Sequence, residues 1–161
     1  MKRFLVYSMI FACSVLTMSA QNARGALGNL PDLVGPLKAT PGCLGVETAQ
    51  TGSGKFVIFA WFEDRKALLN WYSSDLHQQL MKMGPPPNHP PLQDIADGTG
   101  PILAIASLTP SASPGTSAQP FSQIAIELYQ PLPGGAYISG RFAPSSVKVP
   151  GMRGTGIENV R

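Results

Sequence analysis

The chain has 161 residues, which is enough for one modest hydrophobic core, and its formal net charge is +3 at neutral pH. Charged residues make up 13% of the sequence, and no basic patch is interleaved with aromatic residues. This composition argues against nucleic acid as a partner.

The N-terminus has the layout of an export signal. Two basic residues precede an apolar run at 4–15, which is too short to span a bilayer as a mature helix, and small residues follow it. We therefore predict a signal peptide at 1–20 that is cleaved after Ser19 or Ala20, with an uncleaved N-terminal anchor as the alternative. The protein is then secreted or periplasmic, and no stable membrane span remains after the signal is removed.

The remaining chain is predicted to hold one α+β domain at 41–143, between a flexible N-terminal arm at 21–40 and a flexible, polar C-terminal tail at 144–161. Prolines are spaced through the arm and exclude a long helix there. Ten basic and nine acidic residues remain after the signal is removed, so the mature chain is close to neutral. Cys43 is then the single cysteine, so no intrachain disulfide forms; the thiol is either buried, which we expect, or free to pair between chains.

Two strands joined by a tight turn are predicted at the start of the domain. CLGVETAQ at 43–50 alternates in polarity, which is typical of a half-exposed strand, whereas KFVIFAWF at 55–62 is apolar on both faces and favours a central strand. The glycine-bearing connection TGSG at 51–54 predicts an antiparallel hairpin.

A broken helix is predicted after the hairpin. Asp64 is expected to cap a first helix that ends with Trp71 and Tyr72. The apolar residues that follow fall about 100° away from the apolar face of that helix, which indicates a break at the intervening serines. We predict that Asp75 caps a second short helix and that Gln78 completes a weak capping box.

The second half of the chain contributes a loop and further strands. The proline-rich stretch GPPPNHPP at 84–91 ends all helix. Strands are predicted at 101–109 and 121–130, and AYISGRF at 136–142 is predicted as a short edge strand. The order strand, strand, helix, strand, strand predicts the α+β class, with helices on one face of an antiparallel sheet.

One part of the sequence resembles a known superfamily. PGCLGVE, the glycine turn and FVIFAWFEDRKALLNWYSSDLHQQL, within residues 41–83, are similar to the dimeric α+β barrel superfamily, which contains antibiotic biosynthesis monooxygenases and haem-degrading monooxygenases. The shared features are a strand that starts with PGC, an apolar strand that ends in an aromatic and an acidic residue, and an Ala-Leu helix that breaks at a serine-rich bend. The resemblance implies a ferredoxin-like antiparallel sheet with helices on one face, in a dimeric α+β barrel.

The same resemblance bears on cofactors. Trp71 falls where haem-degrading members place a tryptophan over the macrocycle, but at the spacing of their iron-ligating histidine this sequence has Met81, with His77 four residues earlier. The strand and the long helix that those members carry before PGC are not visible, and the late strand at 121–130 is a candidate replacement for that strand. We therefore predict no cofactor, with haem as the alternative.

The candidate catalytic residues are His77 and Tyr72. A histidine titrates near neutral pH and suits a general base, and aromatic walls exclude water from such a base. Phe59, Trp61 and Trp71 are the candidate substrate-binding residues, as the walls of a pocket for a flat aromatic ligand. The alternative for all three aromatic residues is ordinary core packing.

His77 also has a structural alternative, as a half-buried helix residue that is hydrogen-bonded to a neighbour. His89 lies among prolines and is expected to be a solvated loop residue. No metal site is predicted, although the two histidines with Asp75 remain a weak alternative.

Two functions follow from these residues. The first is cofactor-independent oxidation of an aromatic small molecule, with His77 as base. The second is a non-catalytic dimeric domain that binds a small hydrophobic ligand or a protein partner. We expect a homodimer, because one face of a single small sheet is left uncovered and a second copy can bury it. A monomer would require residues 21–42 or 131–161 to cover that face instead.

Overall fold

The computed structural model describes residues 32–82, 92–111 and 121–155. The predicted signal peptide, the whole proline-rich loop at 84–91 with His89, and the last six residues lie outside this part of the chain. The described helices are α1 (Val34–Ala39), α2 (Arg65–Tyr72) and α3 (Asp75–Met81); the strands are β1 (Cys43–Gln50), β2 (Phe56–Phe62), β3 (Ile102–Pro110), β4 (Phe121–Tyr129), β5 (Ala136–Ile138) and β6 (Arg153–Thr155). None of these helices has the length and hydropathy that a membrane crossing needs.

The first four strands form one antiparallel sheet in the order β1-β2-β3-β4. The predicted hairpin is confirmed, since the amide of Thr51 donates to the carbonyl of Lys55 across the turn. The central place of β2 is also confirmed, because Ala60 pairs with Val46 of β1 on one side and with Ala104 of β3 on the other. The α+β class is thereby confirmed, and the sheet with its helices is consistent with a ferredoxin-like fold.

The main core lies between the sheet and the helices. Alternate residues of β2 point to the same face of the sheet, and Ile58, Ala60 and Phe62 are all buried on that face. Ala67 and Leu68 of α2 pack against them. The predicted cap of α2 is confirmed, since the Asp64 carboxylate accepts a hydrogen bond from the Ala67 amide at 2.8 Å.

The opposite face of β2 is covered by the C-terminal segment, residues 141–152. Phe142 packs edge-on against Phe59, and Val147 is fully buried. Arg141 holds the segment in place by donating hydrogen bonds to the carbonyls of Pro144 and Val147. Part of the surface for which we expected a second copy is therefore covered from within the chain.

Three parts of the chain differ from the sequence-based expectation. Residues 34–39 of the predicted arm form α1, because Leu37 inserts into the main core and Pro36 lies in the first helical turn, where its missing N–H costs nothing. The predicted edge strand at 136–142 is shorter and leaves the main sheet, since β5 pairs with β6 in parallel. The predicted flexible tail contains the buried Val147 and reaches Thr155 as strand β6. The boundaries of arm, domain and tail stay predictions.

Candidate functional site

The break between α2 and α3 sets the position of His77. Ser74 caps α3, and its hydroxyl accepts from the His77 amide, so the prediction that Asp75 is the cap is wrong by one residue. Both residue types are good caps, but the helix already includes Asp75 as its first residue. The predicted capping box is absent for the same reason, and the Gln78 side chain donates instead to the carbonyl of Tyr72 at 2.6 Å.

The carbonyl of Tyr72 is the anchor of the site. It lies in the last turn of α2, where helix carbonyls have no intrahelical partner. The His77 ring nitrogen Nδ1 lies 3.0 Å from this oxygen. Because a carbonyl only accepts, we assign the ring proton to Nδ1, which leaves a lone pair on Nε2 in the neutral ring. No described residue makes a hydrogen bond to Nε2.

Two aromatic rings lie against the imidazole. The ring centre of Tyr72 is 4.8 Å from that of His77, and the ring centre of Trp71 is 5.6 Å away. Burial among these rings lowers the pKa of His77 below its ordinary value of 6.5, although the hydrogen bond to Tyr72 acts in the opposite direction. The imidazole is therefore neutral at physiological pH, with its basic nitrogen unprotonated.

The five predicted site residues separate into two groups. Trp71, Tyr72 and His77 lie together on the helices, and Trp71 packs against the main core. Phe59 and Trp61 lie on the opposite face of β2, where both contact Phe142 of the C-terminal segment. The structure therefore does not bring Phe59 and Trp61 to His77.

Trp61 has an unusual environment on that second face. Its side chain is 7% exposed, and its Nε1–H is buried without an acceptor among the described residues. The ring of Phe142 lies 6.4 Å away, centre to centre. The sequence analysis named residues 131–161 as a cover for this face only for the case of a monomer, and it did not identify which of them contribute. The available signal was the apolar content of the stretch at 142–152, which includes Phe142, Val147, Val149 and Met152.

Two surface clefts lie away from His77. One of about 350 Å³ is formed where the start of α2 meets the loop at 97–98, beside an ion pair of 2.7 Å between Arg65 and Asp97. A wider cleft of about 1120 Å³ runs between β1 and the C-terminal segment. Within the described parts of the chain, no three histidine, cysteine or acidic side chains are grouped as a metal site would require.

Comparison with known protein families gives a match to part of the chain. The model of the antibiotic biosynthesis monooxygenase family matches residues 17–83, which includes β1, β2 and all three helices. The predicted family resemblance is therefore confirmed for this segment, whereas β3 to β6 lie outside it. No curated protein and no solved structure matches the chain.

Proposed function

We propose that the segment similar to antibiotic biosynthesis monooxygenases binds a small, electron-rich aromatic molecule beside α2 and α3, and that His77 removes a proton from it before it reacts with oxygen. The observation that carries this proposal is the state of His77, a neutral ring whose Nδ1 is held by the Tyr72 carbonyl and whose Nε2 is left as a base. The rings of Trp71 and Tyr72 provide apolar faces on which a flat ligand can stack.

The proposed reaction balances without a cofactor. A hydroxyarene with a free para carbon gives its hydroxyl proton to Nε2, and the resulting anion is more easily oxidised. One atom of O₂ then enters the para position to give a quinone. The other oxygen atom leaves as water with the two displaced hydrogens, so the electrons lost by the ring are those that reduce O₂.

A second candidate function is a non-catalytic domain that binds a small hydrophobic ligand or a protein partner. It is supported by the far face of the sheet, where Phe142 occupies the space beside Phe59 and Trp61. It is also supported by the hydrogen bond of His77, which ties α3 to the end of α2 and gives the imidazole a structural role. In this function Nε2 has no chemical task.

The His77→Asn variant distinguishes the two functions. The asparagine amide can take the place of Nδ1–H on the Tyr72 carbonyl, but it supplies no base. With 1-naphthol as substrate, we expect O₂ consumption and quinone formation by the wild-type chain, and a loss of kcat/KM of at least about 100-fold in His77→Asn. Binding, measured from tryptophan fluorescence, should persist in the variant.

Each outcome of this experiment has one meaning. Binding without O₂ consumption in the wild-type chain supports the non-catalytic function and overturns the proposed monooxygenase reaction. Equal turnover by His77→Asn and the wild type also overturns it. A haem titration is the matching cofactor control: we expect the absorbance spectrum of added haem to stay unchanged, because the reaction uses none.

We also propose that the protein is exported, on the basis of the basic and apolar N-terminal stretch. Mass spectrometry of the protein from the extracellular or periplasmic fraction should show a chain that begins at Ala20 or Gln21. An intact N-terminus in the membrane fraction would instead support an uncleaved anchor.

A further inference from the structure

Basic side chains are concentrated in the wide cleft between β1 and the C-terminal segment. Lys38, Arg141 and Lys148 line this cleft, and Glu47 is the one acidic side chain among its described lining residues. The whole chain carries 12 basic and 9 acidic residues, so its two kinds of charge are nearly balanced. The cleft therefore has a local excess of positive charge, which attracts anions.

The positive charge of Arg141 has no anionic partner among the described residues. Its side chain is partly buried, and Nη2 donates to the carbonyls of Pro144 and Val147 at 2.5 and 2.6 Å. Nη1 lies 3.4 Å from the sulfur of Met152, which is a weak acceptor. The Nε–H group makes no hydrogen bond to a described residue, and no described carboxylate lies within ion-pair distance of the guanidinium. A partly buried cation that is held by neutral groups alone favours an anion at its free donors.

The other walls of the cleft are largely apolar. They include the side chains of Leu44, Val149 and Met152. Phe142 also lines the cleft, and its ring is 56% exposed although it packs on Phe59. The volume of about 1120 Å³ is at least as large as that of most small-molecule sites. A cleft of this kind suits a molecule with one anionic group and an apolar chain.

We propose that this cleft binds a free fatty acid of medium chain length. The carboxylate accepts from the free donors of Arg141 and is attracted by Lys38 and Lys148, and the acyl chain lies against the apolar walls. A concave site favours a single chain over the flat surface of a bilayer. The cleft lies away from His77, so this binding does not depend on the proposed oxidation.

Isothermal titration calorimetry with laurate tests the class of ligand. We expect one laurate per chain, with a dissociation constant of about 10 to 100 µM. Octanoate, whose apolar chain is shorter, should bind at least about tenfold more weakly. Dodecyltrimethylammonium has an apolar chain of the same length as laurate and a cationic head, and it should also bind at least about tenfold more weakly. Absence of laurate binding, or an equal affinity for either of the other two ligands, would overturn the proposal.

Charge-reversal variants test where laurate binds. Lys38→Glu together with Lys148→Glu should weaken laurate binding at least about tenfold at low salt, because two attractive charges become repulsive. Lys66→Glu together with Lys82→Glu is the matched control, since it changes the net charge equally at two exposed lysines outside the cleft. Circular dichroism establishes that both double variants are folded. Equal affinities of the two double variants for laurate would contradict binding in this cleft.

The role of Arg141 is tested without a substitution, because its side chain holds the C-terminal segment in place. In a proton–nitrogen correlation spectrum, the Nε–H signal of Arg141 should shift when laurate is added. The Nε–H of Arg65 is the internal control, since it donates to the carbonyl of Leu92 and should not move. An Arg141 signal that is unchanged at saturating laurate would refute the placement of the carboxylate.

Vesicles of phosphatidylglycerol distinguish a free ligand from a membrane surface. We expect the wild type and the Lys38→Glu, Lys148→Glu double variant to sediment with these vesicles to the same extent. If the double variant loses a vesicle binding that the wild type has, the two lysines bind an anionic bilayer instead, and the proposed fatty-acid site is wrong.

Discussion

The substitution Val147→Ala tests the largest difference between the sequence-based expectation and the structure. Residues 144–161 are predicted from sequence to be a flexible tail, whereas Val147 is fully buried in the structure. Its amide donates to the carbonyl of Pro144, and its own carbonyl accepts from Arg141, so the backbone around it is held in place. Truncation of the side chain should therefore leave a cavity rather than a relaxed loop.

The expected loss of stability follows from the burial. Alanine lacks the two methyl groups of valine, and each buried group of this size contributes about 0.8 kcal/mol by transfer from water. Because the backbone hydrogen bonds restrict collapse, a cavity contribution adds to this loss, and we expect a total of about 2 to 3 kcal/mol. A flexible tail would give a change of less than about 0.5 kcal/mol.

Urea unfolding followed by circular dichroism measures this difference. A destabilisation of about 2 kcal/mol lowers the midpoint by about 1 M urea for a protein of this size. Ile138→Ala is the control, because that side chain is 74% exposed and its truncation should leave the midpoint unchanged. If Val147→Ala unfolds at the same urea concentration as the wild type, the packing of the C-terminal segment described above is wrong.

Three further predictions concern the helices and the turn before β1. Burial lowers the pKa of His77, so as the pH falls through 6.5 the unfolded chain binds a proton at this residue before the folded chain does. The free energy of unfolding should therefore fall more steeply below this pH in the wild type than in His77→Asn. Unfolding across a pH series measures this difference. Gly42 has a φ of +81°, and a Cβ there would meet the side chain of Ala67, so Gly42→Ala should lower the thermal unfolding midpoint, whereas Gly52→Ala, with open space around it, should not. Asp64→Ala should cost about 1 kcal/mol in urea unfolding through loss of the α2 cap, and Asp64→Asn, which retains an acceptor oxygen, should recover most of it; equal losses in both variants would contradict a capping role.

The part of the fold that local patterns specify was predictable. β2 is apolar on both faces because both faces are covered, one by the helices and the other in part by the C-terminal segment, and this pattern alone placed it inside the sheet. The α2 cap at Asp64 and the hairpin turn are local signals as well. The match over residues 17–83 confirms the resemblance that these elements carry.

The contacts between distant parts of the chain were not predictable. Phe142 and Val147 lie in a proline-interrupted stretch without sustained helical or strand periodicity, and Arg141 stabilises this segment by bonds to backbone carbonyls, which no side-chain pattern reveals. The same limit applies to the candidate site. The sequence placed His77 beside Trp71 and Tyr72, but the alternation of side chains along β2 sends Phe59 and Trp61 to the other face of the sheet.

The two tryptophans of the chain lie on opposite faces of the sheet, and each therefore reports optically on a different neighbour. The indole of Trp61 is buried next to the ring of Phe142 and donates to no described acceptor. Its emission should therefore be shifted to short wavelength and should move to the red when the C-terminal segment detaches. Trp71 touches the imidazole of His77, whose protonated form quenches indole emission. Trp61 thus reports whether the C-terminal segment is packed on β2, and Trp71 reports the protonation of His77.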